Sequence, residues 1–382
     1  MPKTLLHVFP TFVAAGSQQR TVQLIRAFGD SYRHRVVALD GKLEALDLLP
    51  PEIDATPASP PATGGWMSGV RALRTLLKQE RPDLLLTYNW GSFDAVLAAR
   101  MQGLRAHVHH EDGFNMDEAQ RQKQRRVLAR RTFLRAAYRV VMPSQKLADI
   151  ARNVWRLPPE RVQRISNGVH LDRFTPKAPS EAESGAAMRA RHGIPLDALV
   201  VGAVGHLRPV KNYERLFGAC ARLAPTLARR GVHLLLLGNG PERQKLERAA
   251  QGLVPPGGQV HFAGHQTDLP PYYRAMDVFA ISSDSEQQPV SLLEAMAVGV
   301  APVATDVGDV RTCMGPASAA HLTPLSDPEP ETHLARSIEA LLLDDDLRRE
   351  LGKAASERAR ELYSFETMLD TYRELYEGAA AL

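Results

Sequence analysis

The sequence predicts an α/β chain of two Rossmann-like domains, each built on a parallel sheet, and three observations carry that expectation. Its 382 residues exceed what one hydrophobic core ordinarily supports. Short apolar runs alternate with amphipathic helical stretches, the rhythm of βαβ units. That rhythm pauses near the middle of the chain and then starts again. No close sequence repeat links the halves, so the likeness is one of wiring.

The first half runs through "TLLHVF" (strand), "QQRTVQLIRAFG" (helix), "HRVVAL" (strand), "GVRALRTLLKQ" (helix), "DLLLTY" (strand), "AVLAARM" (helix) and "AHVHH" (strand). After a basic segment come the strand "RVVMPS", a helix from Gln145 and "VQRISNGV". The stretch "HLDRFTPKAPSEAESGAAMRARHGIPLDA" is rich in Pro, Ala, Ser and charge and reads as an interdomain connection. Then follow "LVVGAVG", a helix from Asn212 to Leu227, "VHLLLLG", a helix near Glu242 to Ala250, "VHFAG", "VFAIS", a helix around Glu294, and "APVAT". The tail is helical by its i, i+3, i+4 spacing. The expected domains are 1–172 and 173–363, with a final helix over 364–382 packing back on the first.

Composition narrows the function. Cys220 and Cys313 are the only thiols and have no metal-ligand spacing, which argues against a disulfide framework or a zinc site. The start, "MPKTLLHVFPTF", reads as a buried strand and not as a leader, and no apolar run reaches the roughly 18 residues of a membrane span. A cytoplasmic location, with peripheral attachment to the inner face of a membrane left open, is the expectation. The mild positive charge and the lack of any RNP, zinc-finger or helix-turn-helix pattern exclude nucleic acid as the partner. One segment is anomalous: Arg121–Arg139 holds eight basic residues and no acid. Two readings stand for it, a helix lying on anionic lipid headgroups and a solvated helix with one docked stripe.

Several loops carry chemistry. Gly16 and Ser17 follow the first strand and precede a helix, where backbone N–H groups can meet an oxyanion. GxGxxG and GxxxxGK[ST] patterns are absent, which disfavours a dinucleotide or P-loop nucleotide. In "VGHLRPVKNYERL", Arg208 and Lys211 lie between a strand end and a helix start, suited to a diphosphate. The turn at Gly238 and Gly240 has a purely structural explanation available. In "SSDSEQQPVSLLEAMAVGV", Pro289 fits the first turn of a helix that stops at Gly299. Glu286 therefore precedes a helix N-terminus whose N–H groups, at Gln287, Gln288 and Val290, can hold an anion while the carboxylate accepts from neutral sugar hydroxyls. Glu294 sits among Leu292, Leu293, Ala295, Met296 and Ala297, and an unpaired carboxylate there is costly. It needs a cis-diol such as a ribose, or a salt bridge to Arg208 or Lys211. The acidic triplet Asp344–Asp346 resembles a DxD metal site, but helix capping explains it better.

At this point a resemblance becomes specific. "SEQQPVSLLEAMAVGVAPVATDVGDV" resembles the signature of glycosyltransferase family 4, retaining enzymes of GT-B fold, with two glutamates flanking seven residues. "GHLRPVKN", "LLLLGNGPERQKLE", "VHFAGHQTDLPPYYRAMDVFAISS" and "ISNGVHLDRF" are similar to that family's successive blocks, and "FPTFVAAGSQQR" and "VVMPSQKLADIA" match more loosely. The resemblance implies a GT-B chain whose sheets face an interdomain cleft. It makes Glu286 the contact to donor-sugar hydroxyls, Glu294 the ribose ligand, and Arg208 and Lys211 the cations near the diphosphate. It further implies that Gly16 and Ser17 face the donor phosphates, that His265 and Gln266 meet the nucleobase, and that Gln287, Gln288 and Val290 line the donor. His206 stands where the family often has arginine. The family's N-terminal-domain histidine has a candidate in His110, with Asp112 beside it and simple packing of these histidines as the alternative. The implied enzyme uses a UDP- or GDP-sugar as substrate, no cofactor and no metal, and a glycan or lipid-linked acceptor of surface polysaccharide or glycolipid synthesis. Competing readings are another sugar-nucleotide enzyme, such as an epimerase or a phosphorylase, and a non-catalytic scaffold on the same fold.

Overall fold

The computed structural model describes residues 2–13, 16–58, 66–114, 118, 122–176, 182–252 and 255–382. They form two compact units: Met1–Asn167 with Thr367–Leu382, and Gly168–Glu366. The boundaries fall at 167/168 and 366/367, where the sequence suggested 172/173 and 363/364. The backbone gives the reason: Val169 N–H donates to Tyr363 O at 2.8 Å and Phe365 N–H to Val169 O at 3.0 Å. Gly168 passes so close that a Cβ there would lie 2.6 Å from the Phe365 Cα.

The first unit holds β1 (Lys3–Phe9), β2 (Tyr32–Ala38), β3 (Ala55–Pro57), β4 (Leu84–Tyr88), β5 (His107–His110), β6 (Arg139–Met142) and β7 (Val162–Arg164). They form one parallel sheet in the order β3-β2-β1-β4-β5-β6-β7. β4 is buried at every residue, as a strand covered by helices on both faces must be. The terminal helix Phe365–Ala379 buries Met368, Tyr372, Leu375, Tyr376 and Ala379 along one stripe. It docks on this unit, with Tyr376 5.7 Å from the Phe28 ring and Lys3 Nζ donating to Ala380 O at 2.8 Å.

One cation of the basic segment is turned inward, while Arg125 and Arg135 are exposed. Its helix, Gln124–Phe133, buries Arg130 to 1% exposure. The guanidinium donates to Glu111 Oε2 at 3.1 Å and to Glu118 Oε2 at 3.3 Å. The rings of Trp90, Phe114 and Trp155 lie 4.9–5.4 Å from it. Arg126 also reaches Glu118 Oε2, at 2.9 Å. Burial pushes the Glu118 carboxyl up, yet bonds from Arg126 and the Lys123 N–H, with Arg130 alongside, hold it below the usual value. Arg131 and Arg135 donate to the carbonyls of Val154 and Arg156.

The second unit holds β8 (Leu199–Val204), β9 (Val232–Leu237), β10 (Val260–Gly264), β11 (Val278–Ile281), β12 (Ala301–Thr305) and β13 (Leu322–Thr323), parallel in the order β10-β9-β8-β11-β12-β13. Strand order reverses between β8 and β11, the place where open α/β sheets bind ligands. Two elements differ from the sequence expectation. The helix expected over 212–227 ends at Ala221, because Ala224 is held extended (φ −56, ψ 136) ahead of Pro225. The expected connection contains the helix Ala182–Arg191, whose Arg189 donates to Ala275 O and to Asp277 Oδ2. Asp344 caps the helix Asp345–Leu362 by accepting from Leu347 N–H at 2.9 Å, so capping accounts for the acidic triplet. Among the described residues no helix is long and apolar enough to cross a membrane.

Candidate donor site

The turns after β8 and β9 interlock. Leu207 N–H donates to Asn239 O and Glu242 N–H to Leu207 O, both at 3.0 Å. Gly238 has φ +131, and a Cβ there would sit 1.9 Å from Gly205 O. Only glycine lets these two backbones pass, so this turn is structural, and it fixes the loop that presents Lys211. Asn212 adopts the left-handed conformation (φ 44) and accepts from Arg215 N–H, starting the helix Tyr213–Ala221 two residues after Lys211.

The loop after β11 is clipped to the same place. Asp284 N–H donates to Val210 O at 2.8 Å, Ser282 Oγ to Lys211 O at 3.0 Å, and Arg215 Nη1 to Ser282 O at 2.7 Å. These contacts bring Lys211 Nζ to 2.5 Å from Glu286 Oε1, and Ser283 Oγ donates to the same oxygen at 2.7 Å. Tyr213 lines the recess beside them, together with Ser291. Gly308 (φ +56) makes room for the acidic loop, since a Cβ there would lie 2.3 Å from Glu286 O and 2.7 Å from Gln287 O. The cation and the carboxylate at the switch point are thus held by backbone geometry on both sides.

The helix Val290–Val298 follows Pro289 and stops at Gly299 in the left-handed region (φ 84). Its Leu292, Leu293, Ala295, Met296 and Ala297 are fully buried. Glu294 does not form the salt bridge to Arg208 or Lys211 that the sequence left open; Lys211 is engaged by Glu286. Instead Glu294 Oε2 accepts from Tyr273 Oη at 2.7 Å. Burial raises the Glu294 carboxyl to about 7, with the Tyr273 bond and the charge of Arg173 pulling the other way. Burial and the Glu286 charge push the Tyr213 phenol up.

The other sequence candidates of the second unit lie on separate loops and turns. His206, Arg208 and His265 are exposed. Burial, then Arg208, lowers the His206 imidazole. Gln266 Nε2 donates to Ala263 O at 2.6 Å. Gln287 O accepts from Asp309 N–H, Gln288 is buried, and Val290 is exposed at the helix start. In the first unit Gly16 opens the helix Gly16–Phe28 and a Cβ there would meet nothing within 4 Å. Ser17 Oγ donates to Gln18 Oε1. His110 is 1% exposed, stacked 4.6 Å from Tyr88 and 5.9 Å from Tyr372. The structure shows it packed among these rings. Asp112 is pinned by Arg20 Nη1 at 2.6 Å and through its N–H by Asn89 Oδ1 at 2.7 Å. Ser283, Tyr213 and Tyr273 were not singled out in the sequence. "SSDSE" and "PPYYRAMD" gave no spacing that marks hydroxyl donors to a carboxylate.

Comparison with known proteins places this geometry. Residues 14–173 match the model described as Glycosyltransferase Family 4, and residues 186–358 that of Glycosyl transferases group 1. The chain is 31% identical over 270 residues to a D-inositol 3-phosphate glycosyltransferase of Saccharomonospora viridis, covering 65% of this chain and 58% of the relative. It is 34% identical over 190 residues to the lipopolysaccharide core biosynthesis glycosyltransferase LpsE of Rhizobium meliloti, covering 50% of this chain and 53% of that one. The matched part thus spans little more than half the length of these relatives. Among solved structures, a glycosyltransferase of Rickettsia africae superposes with a TM-score of 0.79 at 15% identity, covering 99% of this chain and 98% of that one. HepE of Anabaena, solved with UDP-glucose, gives 0.78 at 18%, covering 98% and 100%. At those identities the structures speak for the fold alone, and the fold is GT-B. With both family models matched in order along it, the chain belongs to glycosyltransferase family 4.

Proposed function

We propose that this protein is a retaining glycosyltransferase that moves a sugar from a nucleoside diphosphate sugar to a glycan or lipid-linked acceptor. The observation that carries the reading is the Lys211–Glu286 pair at the β8/β11 switch point, a cation and a hydroxyl acceptor 2.5 Å apart at the carboxyl ends of a parallel sheet. In this reading Lys211 turns to the diphosphate, with Arg208 and His206 on the same loop and the N–H groups of Gln287, Gln288 and Val290 beside it. Glu286 accepts from donor-sugar hydroxyls, Glu294 from the ribose diol, and the loop at His265 and Gln266 meets the base. Gly16 and Ser17 serve the phosphates from the first unit. The UDP carried by the HepE structures favours uridine over guanosine.

The bond from the anomeric carbon to the diphosphate oxygen breaks as the acceptor oxygen attacks from the same face. The acceptor proton passes to the leaving phosphate, so no protein nucleophile is needed. Lys211 stabilises the charge that builds on the leaving group, the kind of preorganised contact worth roughly 3 kcal/mol. Exposed Arg125, Arg135 and Arg156, together with Leu128 at 62% exposure, support an acceptor presented at an anionic membrane surface. The test is thermal shift and nucleotide release across UDP-, GDP- and ADP-sugars, with Glu294→Ala as control. Stabilisation by one donor, lost in the variant, is expected; no response to any donor from folded protein would remove the reading.

A further inference from the structure

Tyr273 is the group behind Glu294. It lies on the short helix Pro270–Arg274, fully buried, and its hydroxyl donates to Glu294 Oε2 at 2.7 Å. The ring is held by Phe174 and Phe279, each with its centroid 5.9 Å away. A phenol so packed has one direction in which to aim its O–H. A glutamate side chain on a helix has rotatable bonds, and a fixed donor on one oxygen removes most of that freedom. A carboxylate offers about four lone-pair sites, so one bond from Tyr273 leaves acceptors for two further O–H groups.

We propose that Tyr273 is a positioning residue for nucleotide recognition, its hydroxyl fixing the Glu294 carboxylate so that it meets the vicinal diol of the donor's ribose as an acceptor. The proposal rests on the reading of Glu294 as the ribose ligand. Other charges around Glu294 do not supply this restraint. Arg173 acts on it through its charge and sits 3.5 Å from Asp268, and Arg358, on the helix packed along Val290–Val298, is turned to the Thr312 and Cys313 carbonyls. Burial raises the Glu294 carboxyl to about 7 and the Tyr273 bond opposes that rise, so losing the hydroxyl moves the titration further up.

The experiment measures binding of UDP and of 2′,3′-dideoxy-UDP to the full chain by calorimetry between pH 5.5 and 8.5, in wild type and Tyr273→Phe. Wild type is expected to prefer UDP. Tyr273→Phe is expected to lose about tenfold in affinity for UDP, the factor matching a lost hydrogen bond to a charged group, and nothing for the dideoxy ligand. The midpoint of its UDP pH profile moves alkaline. Equal losses for both ligands would assign Tyr273 a packing role only and overturn the inference. A wild type that binds both ligands alike would overturn the ribose reading of Glu294 itself, a different failure. Should Tyr273→Phe not fold, wild-type protein with 13C-labelled glutamate carboxyls gives the answer. An H2O/D2O isotope shift on the Glu294 carbon supports the tyrosine bond, and its absence overturns it.

Discussion

Replacing Arg130 with methionine should unfold the first unit at a far lower temperature without touching the second. Arg130 is 1% exposed and is the shared partner of Glu111 and Glu118, which are 0% and 2% exposed. Removing it leaves the buried Glu111 carboxylate without its arginine, while Glu118 keeps Arg126 and the Lys123 N–H, and breaking a buried pair in this way costs about 3–5 kcal/mol. Phe114 and Trp155, 5.4 and 4.9 Å from the guanidinium, lose their cation as well, while Trp90 keeps Arg126. For a unit of this size each kcal/mol shifts the midpoint by about 2–4 °C, so a drop of roughly 6–20 °C follows. The assay is built in, because the chain's three tryptophans, Trp66, Trp90 and Trp155, all lie in Met1–Asn167. Their fluorescence follows that unit alone. Arg125→Ala, on an exposed position of the same helix, should move the midpoint by no more than about 1–2 °C. Adding Glu111→Gln to Arg130→Met should recover much of the loss, because the carboxylate that loses its arginine is then removed while Glu118 keeps Arg126. A midpoint for Arg130→Met within about 2 °C of wild type would refute the argument that burial, and not exposure to lipid, governs this cation.

Four further outcomes can be checked. Lys211→Ala should lower kcat about a hundredfold in a transfer assay with little change in folding, since one stabilising contact to the leaving group is lost; an unchanged kcat would contradict its placement. Because Glu294 titrates at about 7, UDP affinity should fall as pH drops below that value, by about tenfold per unit. Stability without ligand runs the opposite way: the folded carboxyl holds its proton better than an unfolded one at 4.5, so the burial penalty is full above 7, is relieved as pH falls from 7 to 4.5, and disappears as a trend in Glu294→Gln. Gly308→Ala should both strain a left-handed residue, at roughly 1–2 kcal/mol, and push against Glu286 O, reducing transfer while circular dichroism stays native.

Much of the architecture was legible because parallel strands buried on both faces read as short apolar runs, as "LLLTY" and "VHLLLL" do. The two sheets, the Gln145 helix and the Pro289-to-Gly299 helix follow from such local patterns. The early end of the Tyr213–Ala221 helix was also written in the sequence, in Ala224–Pro225, but periodicity outweighed it. The Ala182–Arg191 helix was hidden by its Ala, Ser and Glu content, which reads equally well as linker. At the site, sequence spacing isolated Glu286, Glu294 and Lys211, yet which carboxylate pairs with the lysine is a matter of strand order. β8 and β11 are neighbours in space and far apart in the chain. Tyr273 and Ser283 escaped for the same reason, and Arg130 looked like surface charge because its two acids and three rings come from other segments.

The Lys211–Glu286 contact has a consequence for selectivity between whole ligands. A lysine that already carries its own counterion presents little net field, so inorganic phosphate or sulfate gains little by approaching it. Drawing the lysine away leaves a carboxylate that needs new donors, and a lone anion has none to give. A molecule carrying an anionic group and hydroxyls at the right separation replaces both halves of the pair in one event. On the proposed reading of the pair, the ligand-free protein would be screened against small anions, and occupancy would report the joined molecule and not either of its parts.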